Sequence, residues 1–381
     1  MQKRNKIVLF TGDVETLGFF SQQIQHAFDK MGYETLLYDF LAPQFDKLNQ
    51  FVGEGDTYLL TYNYIGILEE EEFIEEDGQR LWDKRNVRCI NLVVDHPFYY
   101  HKHMKIRPMN YVQYNVDRLH VDYVRRFFPG IRCGFLPLAG TKLPGPTLPW
   151  EERDMDVLFT GNYTPPCKFE RHIKRINDEY TAFYYGIINE LIKHPQRGID
   201  EVVEEHTKRE IPEITESELA DVMENIIFID LYVRFYFRGL VVKTLLEAGI
   251  QVYCVGSGWD LLACDRMDCM VNLGPSDSEG CLQYLQRAKL ALNVMPWFKQ
   301  GAHDRIFNAL LQHSLPVSDT SGYLSEIFED GKDIAFYSLN HIDLLPNRVK
   351  QLLQNSEKTK IMIGKGYGEV SSGHKWENRA A

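Results

Sequence analysis

The residues best placed to do chemistry cluster near the C-terminus, in Gly301-Ala302-His303-Asp304-Arg305-Ile306-Phe307-Asn308-Ala309-Leu310. Gly301 and the polar trio after it precede an apolar periodic helix. Unsatisfied backbone N–H groups, the His303 imidazole and the Arg305 guanidinium can therefore face one anion, and a diphosphate fits that role. A second strand, residues 315–318, leads through a small-residue loop, 319–322, to another helix start at Ser321 and Gly322. Two such helix ends converging on one pocket suit the phosphates of a nucleotide. The competing readings are structural: a salt bridge at a helix start for Arg305, and a helix cap or a surface imidazole for His303.

Parallel strands are the elements that place such loops. Residues 7–11 form a short β-rich run broken by Gly12, a helical stretch runs to Lys30, and Gly32 stops it. Strands follow at 33–38, 57–62 and 89–94, with helical or polar segments between them, which is the rhythm of a parallel α/β sheet. The acidic run from Glu69 to Asp77 reads as a solvated helix face, with an acidic docking surface as the alternative. Four prolines between Leu136 and Trp150 block helix and sheet alike and mark a domain boundary. A fresh strand, 155–160, ends at Gly161 and opens a second α/β unit. Ile173, Ile176, Tyr180, Phe183, Ile187 and Leu191 recur as one amphipathic helical stripe, and Thr215 with Glu218 makes a capping box. Strands return at 252–255, running into Gly256-Ser257-Gly258-Trp259, and at 270–273, 290–294 and 315–318. The expected architecture is α/β with two Rossmann-like domains, 1–145 and 154–345, a helical insertion at about 165–225, and a helical tail, 346–381. A cleft between two such halves is a natural small-molecule site.

Composition excludes several functions. The chain has 381 residues, 44% of them hydrophobic, so it can bury a real core. A net charge of −12 argues against non-specific binding to nucleic acid or to an anionic membrane. No segment approaches the roughly 18 apolar residues of a spanning helix. The basic opening, Met1 to Lys6, is followed by an apolar run too short for an export signal, and seven scattered cysteines suit reduced thiols in a cytoplasm. Asp154-Met155-Asp156 precedes a strand where a metal-binding pair would follow one. Cys264, Cys269 and Cys281 lack zinc spacing, and no early Gly-x-Gly-x-x-Gly marks a dehydrogenase.

Residues 301–333, with the Arg-Ile-Phe-Asn-Ala core, the Val-Ser-Asp-Thr-Ser-Gly-Tyr-Leu loop and the Ile-Phe-Glu-Asp-Gly-Lys-Asp tail, resemble the C-terminal half of GT-B glycosyltransferases of the group that includes the spore maturation protein CgeB. The likeness is clearest over 270–352 and reaches back to the strand before Gly161. It implies a nucleoside-diphosphate sugar of the UDP-sugar kind held by the C-terminal domain, an unidentified acceptor held by the N-terminal one, and no cofactor or metal. It assigns the donor to Gly161, Gly256, Ser257, Gly258, Trp259, His303, Asp304, Arg305, Asn308, Ser321, Gly322 and Glu326. The Trp259 indole is then available to stack on the nucleoside, unless it packs in the core. Gly301 and Asn308 stand where the better-known pattern of the fold has two glutamates that contact the sugar and the ribose; Asn308 can still hydrogen-bond a hydroxyl, Gly301 cannot through a side chain, and sugar recognition shifts toward His303 or Asp304. Glu326 either contacts the ribose or favours its helix dipole.

An inverting transferase needs a group to take the acceptor proton, and Asp13, Asp95 and His96 qualify by position after the first and fourth strands. The plain alternative for Asp95-His96-Pro97 is a turn set by the proline. Phe98, Tyr99, Tyr100, His101 and His103 form either an aromatic acceptor wall or core packing. Two rival functions remain: a related epimerase or hydrolase of nucleotide sugars, and a non-catalytic sugar-nucleotide-binding partner of a glycosylation complex.

Overall fold

Runs of β-branched and aromatic residues, each ending in glycine or a polar residue, build two separate sheets in the computed structural model, which describes residues 5–53 and 56–381. The first four residues of the basic opening lie outside that set. The first sheet holds β1 (Lys6–Thr11), β2 (Glu34–Asp39), β3 (Thr57–Tyr62), β4 (Arg88–Val93), β5 (Tyr111–Asn115) and β6 (Cys133–Phe135), in the order β2-β1-β3-β4-β5-β6. The second holds β7 (Met155–Thr160), β8 (Val252–Val255), β9 (Met270–Gly274), β10 (Ala288–Asn293), β11 (Leu315–Asp319) and β12 (Ala335–Tyr337), in the order β12-β11-β10-β7-β8-β9. Every pairing is parallel. The architecture is therefore α/β with two doubly wound, Rossmann-like sheets.

In each sheet the chain winds to one side of its first strand and then crosses to the other. The crossing opens a crevice at the strands' carboxyl ends, where ligands of such sheets bind. In the first sheet it lies between β1 and β3, in the second between β7 and β10.

The chain divides into one unit ending at Ala139, which takes back Lys375–Ala381, and a second unit, Gly140–His374. The segment 346–381, read from sequence as one tail, thus divides: helices Leu345–Gln354 and Ser356–Gly373 belong to the second unit and Glu377–Ala380 to the first.

Between β7 and β8 lie only helices, the last being Ile227–Glu247. That helix is apolar around most of its circumference and buries Phe228, Val233, Phe237, Val241, Val242, Leu245 and Leu246, as an all-round hydrophobic helix must. Gly249, at φ +73°, follows its end. The Thr215–Glu218 capping box forms with both of its reciprocal bonds.

Two local expectations fail. The stripe from Ile173 to Leu191 is broken, because Asn177 caps a new helix, Asp178–Lys193, and leaves Ile176 and Tyr180 exposed. The acidic run is a loop with one short turn, Glu71–Phe73, rather than a helix face; Glu72 accepts from the Tyr38 hydroxyl and Glu70 from the Gly66 N–H. No disulfide joins the seven cysteines among the described residues. No helix among them is long and apolar enough to cross a membrane.

Candidate functional site

The turn after β7 fixes the floor of the second crevice. Gly161 has φ +147°, and a Cβ there would stand 3.3 Å from an Arg305 Nη, so only glycine lets the guanidinium approach this closely. Its N–H bonds the Val255 carbonyl, and its own carbonyl accepts from Trp259 Nε1 at 2.8 Å. Asn162 Oδ1 accepts from the Ser257 N–H at 2.9 Å. Gly256, at φ +132°, lies where a Cβ would meet the Gly161 carbonyl at 2.5 Å. Gly161, Gly256, Ser257, Gly258 and Trp259 therefore hold two loops together. Trp259 is fully buried, stacked on Tyr163 and edge-on to Phe159, so its indole has no face to offer a nucleoside. Ser257 alone of this group is exposed.

Above that floor stand two guanidiniums. Arg305, at the start of helix Asp304–Leu311, is half-buried over the Phe159 ring with Nη1 3.4 Å from Asn293 Oδ1. Arg238, from helix Ile227–Glu247, is only 6% exposed; its Nη1 donates to the Asn162 carbonyl at 2.9 Å and its Nε has no hydrogen-bond partner. Among the described residues neither has a carboxylate within salt-bridge distance. Burial lowers the Arg305 pKa to about 10, and burial together with the neighbouring Arg305 and Arg234 pushes Arg238 down from its ordinary value. Two neighbouring positive charges, one buried and one half-buried, with the Asp304 and Asp230 carboxylates acting on them only from beyond salt-bridge distance, are costly, and an anion bound beside them relieves that cost. Arg234, one helical turn before Arg238, pairs with Asp230 at 2.8 Å.

The other sequence candidates at this mouth are built into its frame. His303 stands at the N-cap position; its Nδ1 is 2.5 Å from Asp304 Oδ1 and 3.4 Å from the Arg305 N, and the shorter contact places the proton on Nδ1, so that the ring donates to Asp304 and does not also accept from the Arg305 N–H. Burial and Arg305 lower the His303 pKa to about 4, so the ring is neutral and its Nε2 is an acceptor. Asp304 is buried; burial raises its pKa, but His303 and Arg305 outweigh that and hold it ionised. Asn308 is tied into the frame at both ends, donating to Asp304 Oδ2 and accepting from the Thr141 N–H, each at 2.8 Å. Ser321 accepts from the Leu324 N–H and donates to the Gly301 carbonyl, while the Gly322 N–H is taken by the Lys299 carbonyl. The second helix end therefore offers no anion site at these groups. Glu326 is exposed.

In the first unit, Asp13 is exposed at the β1/β3 crevice beside a cavity of about 10 Å³ lined by Phe10, Val14, Phe40 and Tyr62. Asp95 is half-buried after β4, its Oδ2 accepting from Asn63 Nδ2 at 3.1 Å and the Tyr100 hydroxyl at 3.2 Å. Asn63 also binds the Val94 N–H and adopts φ +47°, with Tyr64 at φ +69°. His96 does not suit a proton acceptor. It is buried, its Nδ1 already accepts from the Phe98 N–H, and burial with His120 and His101 nearby holds its pKa well below the ordinary value. The aromatic wall divides: Phe98 and His101 are core, while Tyr99, Tyr100 and His103 are half-buried.

Sequence reading passes over Arg238, Arg234 and Asn63. The signal for the arginines is their i, i+4 spacing within an apolar helix that contains only Asp230 as a nearby acid. Asp154 and Asp156 are engaged by Arg287 and Lys289, and no group of metal-ligating side chains occurs among the described residues.

This arrangement, two doubly wound sheets with a cationic mouth on the second, is the GT-B fold. Residues 238–381, which begin at Arg238 and include Trp259 and Arg305, match the family model described as "Glycosyl transferase-like". Among solved structures, an alpha-glucosyltransferase in complex with UDP aligns with a TM-score of 0.56 and 11% identity, covering 98% of this chain and 96% of that one. Sucrose-phosphate synthase from Thermosynechococcus elongatus aligns at 0.52 and 12%, covering 99% and 96%. Anabaena HepE in complex with UDP and glucose aligns at 0.51 and 9%, covering 98% and 96%. No curated protein sequence matches the chain.

Proposed function

We propose that the protein is a glycosyltransferase that takes a sugar from a nucleoside-diphosphate sugar, of the UDP-sugar kind, and transfers it to an acceptor bound by the first unit. One observation carries this reading: the buried Arg238 and the half-buried Arg305 stand around the Gly161 turn, at the crevice between β7 and β10, with no carboxylate within salt-bridge distance among the described residues. Breaking the anomeric bond leaves negative charge on the departing diphosphate. Preformed guanidiniums in a water-poor site stabilise that charge most in the transition state. The two arginines do the work for which other active sites use a divalent ion, so the reaction is metal-independent. The neutral His303 ring, with Nε2 as acceptor, accepts a hydrogen bond from a hydroxyl of the donor sugar in this reading. Asp13 or Asp95 removes the acceptor proton. The family match and the UDP-bound structural neighbours support this assignment; the sugar, the acceptor and the stereochemistry are for experiment to name.

The test is acceptor-dependent release of nucleoside diphosphate from a panel of nucleotide sugars, preceded by a thermal-shift screen of nucleoside diphosphates, since a specific binder raises apparent stability by mass action. Stabilisation by one diphosphate and release only with acceptor is the expected result. Release at the same rate without acceptor makes the protein a hydrolase, and tight binding without turnover makes it a binding partner.

A further inference from the structure

The loop after β10 that leads to His303 carries Trp297. Its half-buried indole lies under two guanidiniums, with the ring centroid 4.2 Å from the Arg234 Cζ and 5.1 Å from the Arg238 Cζ. The loop is fastened from both sides. The Met295 N–H donates to Asp319 Oδ1 at 2.8 Å, Lys299 Nζ reaches the carbonyls of Pro195 and Pro296, the Gly322 N–H holds the Lys299 carbonyl, and Ser321 Oγ holds the Gly301 carbonyl at 2.6 Å. The small polar residues after β11, which the sequence suggests as an anion cradle, thus serve to moor the segment that bears Trp297.

We propose that Trp297 is a positioning residue for the donor diphosphate, fixing Arg238 in the orientation that binds phosphate, whereas Arg234 is already paired with Asp230. The proposal rests on the donor reading above. A guanidinium stacked on an aromatic face spends no N–H on the contact, so its in-plane donors stay available for oxygen acceptors, whereas a carboxylate partner would consume them. Arg238 is buried over the Trp297 ring, with the Phe235 ring centroid 5.4 Å from its Cζ, has one N–H bond to the Asn162 carbonyl, and has an Nε with no hydrogen-bond partner. The Trp297 ring stands in for a counter-ion until the diphosphate arrives.

The experiment is calorimetric titration of the full chain with UDP, with melting temperatures measured on the same samples, for wild type, Trp297→Leu, Trp297→Phe, Arg238→Gln and the Trp297→Leu/Arg238→Gln double variant. Trp297→Leu is expected to weaken UDP binding about 5- to 30-fold, and Trp297→Phe to recover part of that because a smaller π face remains. In the double variant the loss is expected to be little more than that of Arg238→Gln alone, because Trp297 acts through Arg238. Arg238→Gln weakening UDP while Trp297→Leu does not would remove the role of Trp297 and leave the donor site standing. Fully additive losses, or a Trp297→Leu loss that follows a fall in melting temperature and is not relieved by Phe, would make the ring mere packing. A wild-type chain that binds no nucleoside diphosphate, or an Arg238→Gln variant that binds UDP unchanged, would overturn the donor reading and this one together.

Discussion

The two crevices arise from the same winding of a parallel sheet, yet they are furnished in opposite ways. The mouth of the second sheet gathers Arg238 and Arg305 on a glycine turn, with Arg234 one helical turn before Arg238 and a neutral His303 at its rim. The mouth of the first has an exposed carboxylate, Asp13, lining a cavity of about 10 Å³ together with apolar side chains and the hydroxyls of Thr11, Ser21 and Thr61, and Asp95 two strands away, bonded to Asn63 and Tyr100. Fixed positive charge in a buried setting is worth its desolvation cost only where a negative charge will come to it. A lone carboxylate near water suits a proton that must be taken up and then released. The topology supplies a place for a ligand in both sheets; the side chains decide what kind.

The largest effect that would test this division is on the acid side. Asp13→Asn or Asp95→Asn, whichever residue is the base, is expected to lower acceptor-dependent turnover by about 10²- to 10⁴-fold while leaving UDP affinity unchanged. If both variants keep wild-type turnover, the first mouth does not hold the base. Next comes Arg305→Ala. Losing a charge-assisted contact to the leaving group is expected to cost about 2 to 4 kcal/mol of transition-state stabilisation, roughly 30- to 1000-fold in turnover, and Arg305→Lys should restore part of it. Because Arg305 has no ion pair to lose among the described residues, its removal should spare the melting temperature. A destabilised variant with unchanged UDP affinity would return Arg305 to a structural role.

Much of this contrast is legible in the sequence, and the illegible part has physical causes. Strands β1 to β4 and β7 to β11 announce themselves as apolar runs that stop at glycine or a polar residue. Strand β5 does not, because it turns Gln113 and Asn115 into the protein. Their amides are linked at 2.9 Å, and Gln113 also accepts from Tyr64 and Tyr111. A buried hydrogen-bonded strip looks like surface to a rule that reads polarity as exposure. Strands β6 and β12 have three residues each, too few for a pattern. Gly161 and Arg305 stand out because a glycine turn and a cation at a helix start are local features. Arg238 does not, because its helix lies far in sequence from β10 and only the tertiary fold brings it to the Gly161 turn. Trp259 misleads for the converse reason: an indole in a loop beyond a strand looks available until the Gly161 carbonyl and Tyr163 are seen to hold it.

The second mouth also differs in holding a buried acid. Asp319, 4% exposed at the end of β11, has its pKa raised to about 7 by burial, which the Met295 N–H and Lys299 only partly offset. From about pH 4 to about pH 7 the folded state keeps a proton that the unfolded chain has released. Stability therefore falls as pH rises through that window and is level above it. Asp319→Asn keeps a carbonyl oxygen for the Met295 N–H and removes the charge. It is expected to gain about 1 to 3 kcal/mol over wild type at pH 8, and the gain should shrink toward zero at pH 4. Denaturant melts of both proteins at the two pH values decide it; a gain that does not depend on pH would mean Asp319 is ionised throughout.

The smallest expected effect bears on whether a metal enters at all. Asp154 and Asp156 flank Met155 at the start of β7, the end opposite the Gly161 turn, and each faces a cation rather than the other: Arg287 holds Asp154 through two N–H bonds, and Lys289 holds Asp156 at 2.8 Å. Arg287 keeps the Asp154 pKa low, so the carboxylate is charged, but the pair is exposed and solvent screens it. Removing an exposed pair costs about 0 to 1 kcal/mol, so Asp154→Asn should shift the melting temperature by no more than a few degrees and leave turnover as it was. On the proposed reading wild-type turnover should likewise persist in EDTA, because Arg238 and Arg305 would meet the charge on the leaving diphosphate. A strict requirement for added magnesium or manganese, abolished by Asp154→Asn, would place the metal at the wrong end of β7 for those arginines. The contrast between a cationic mouth and an acidic one would then no longer describe how the leaving group is stabilised.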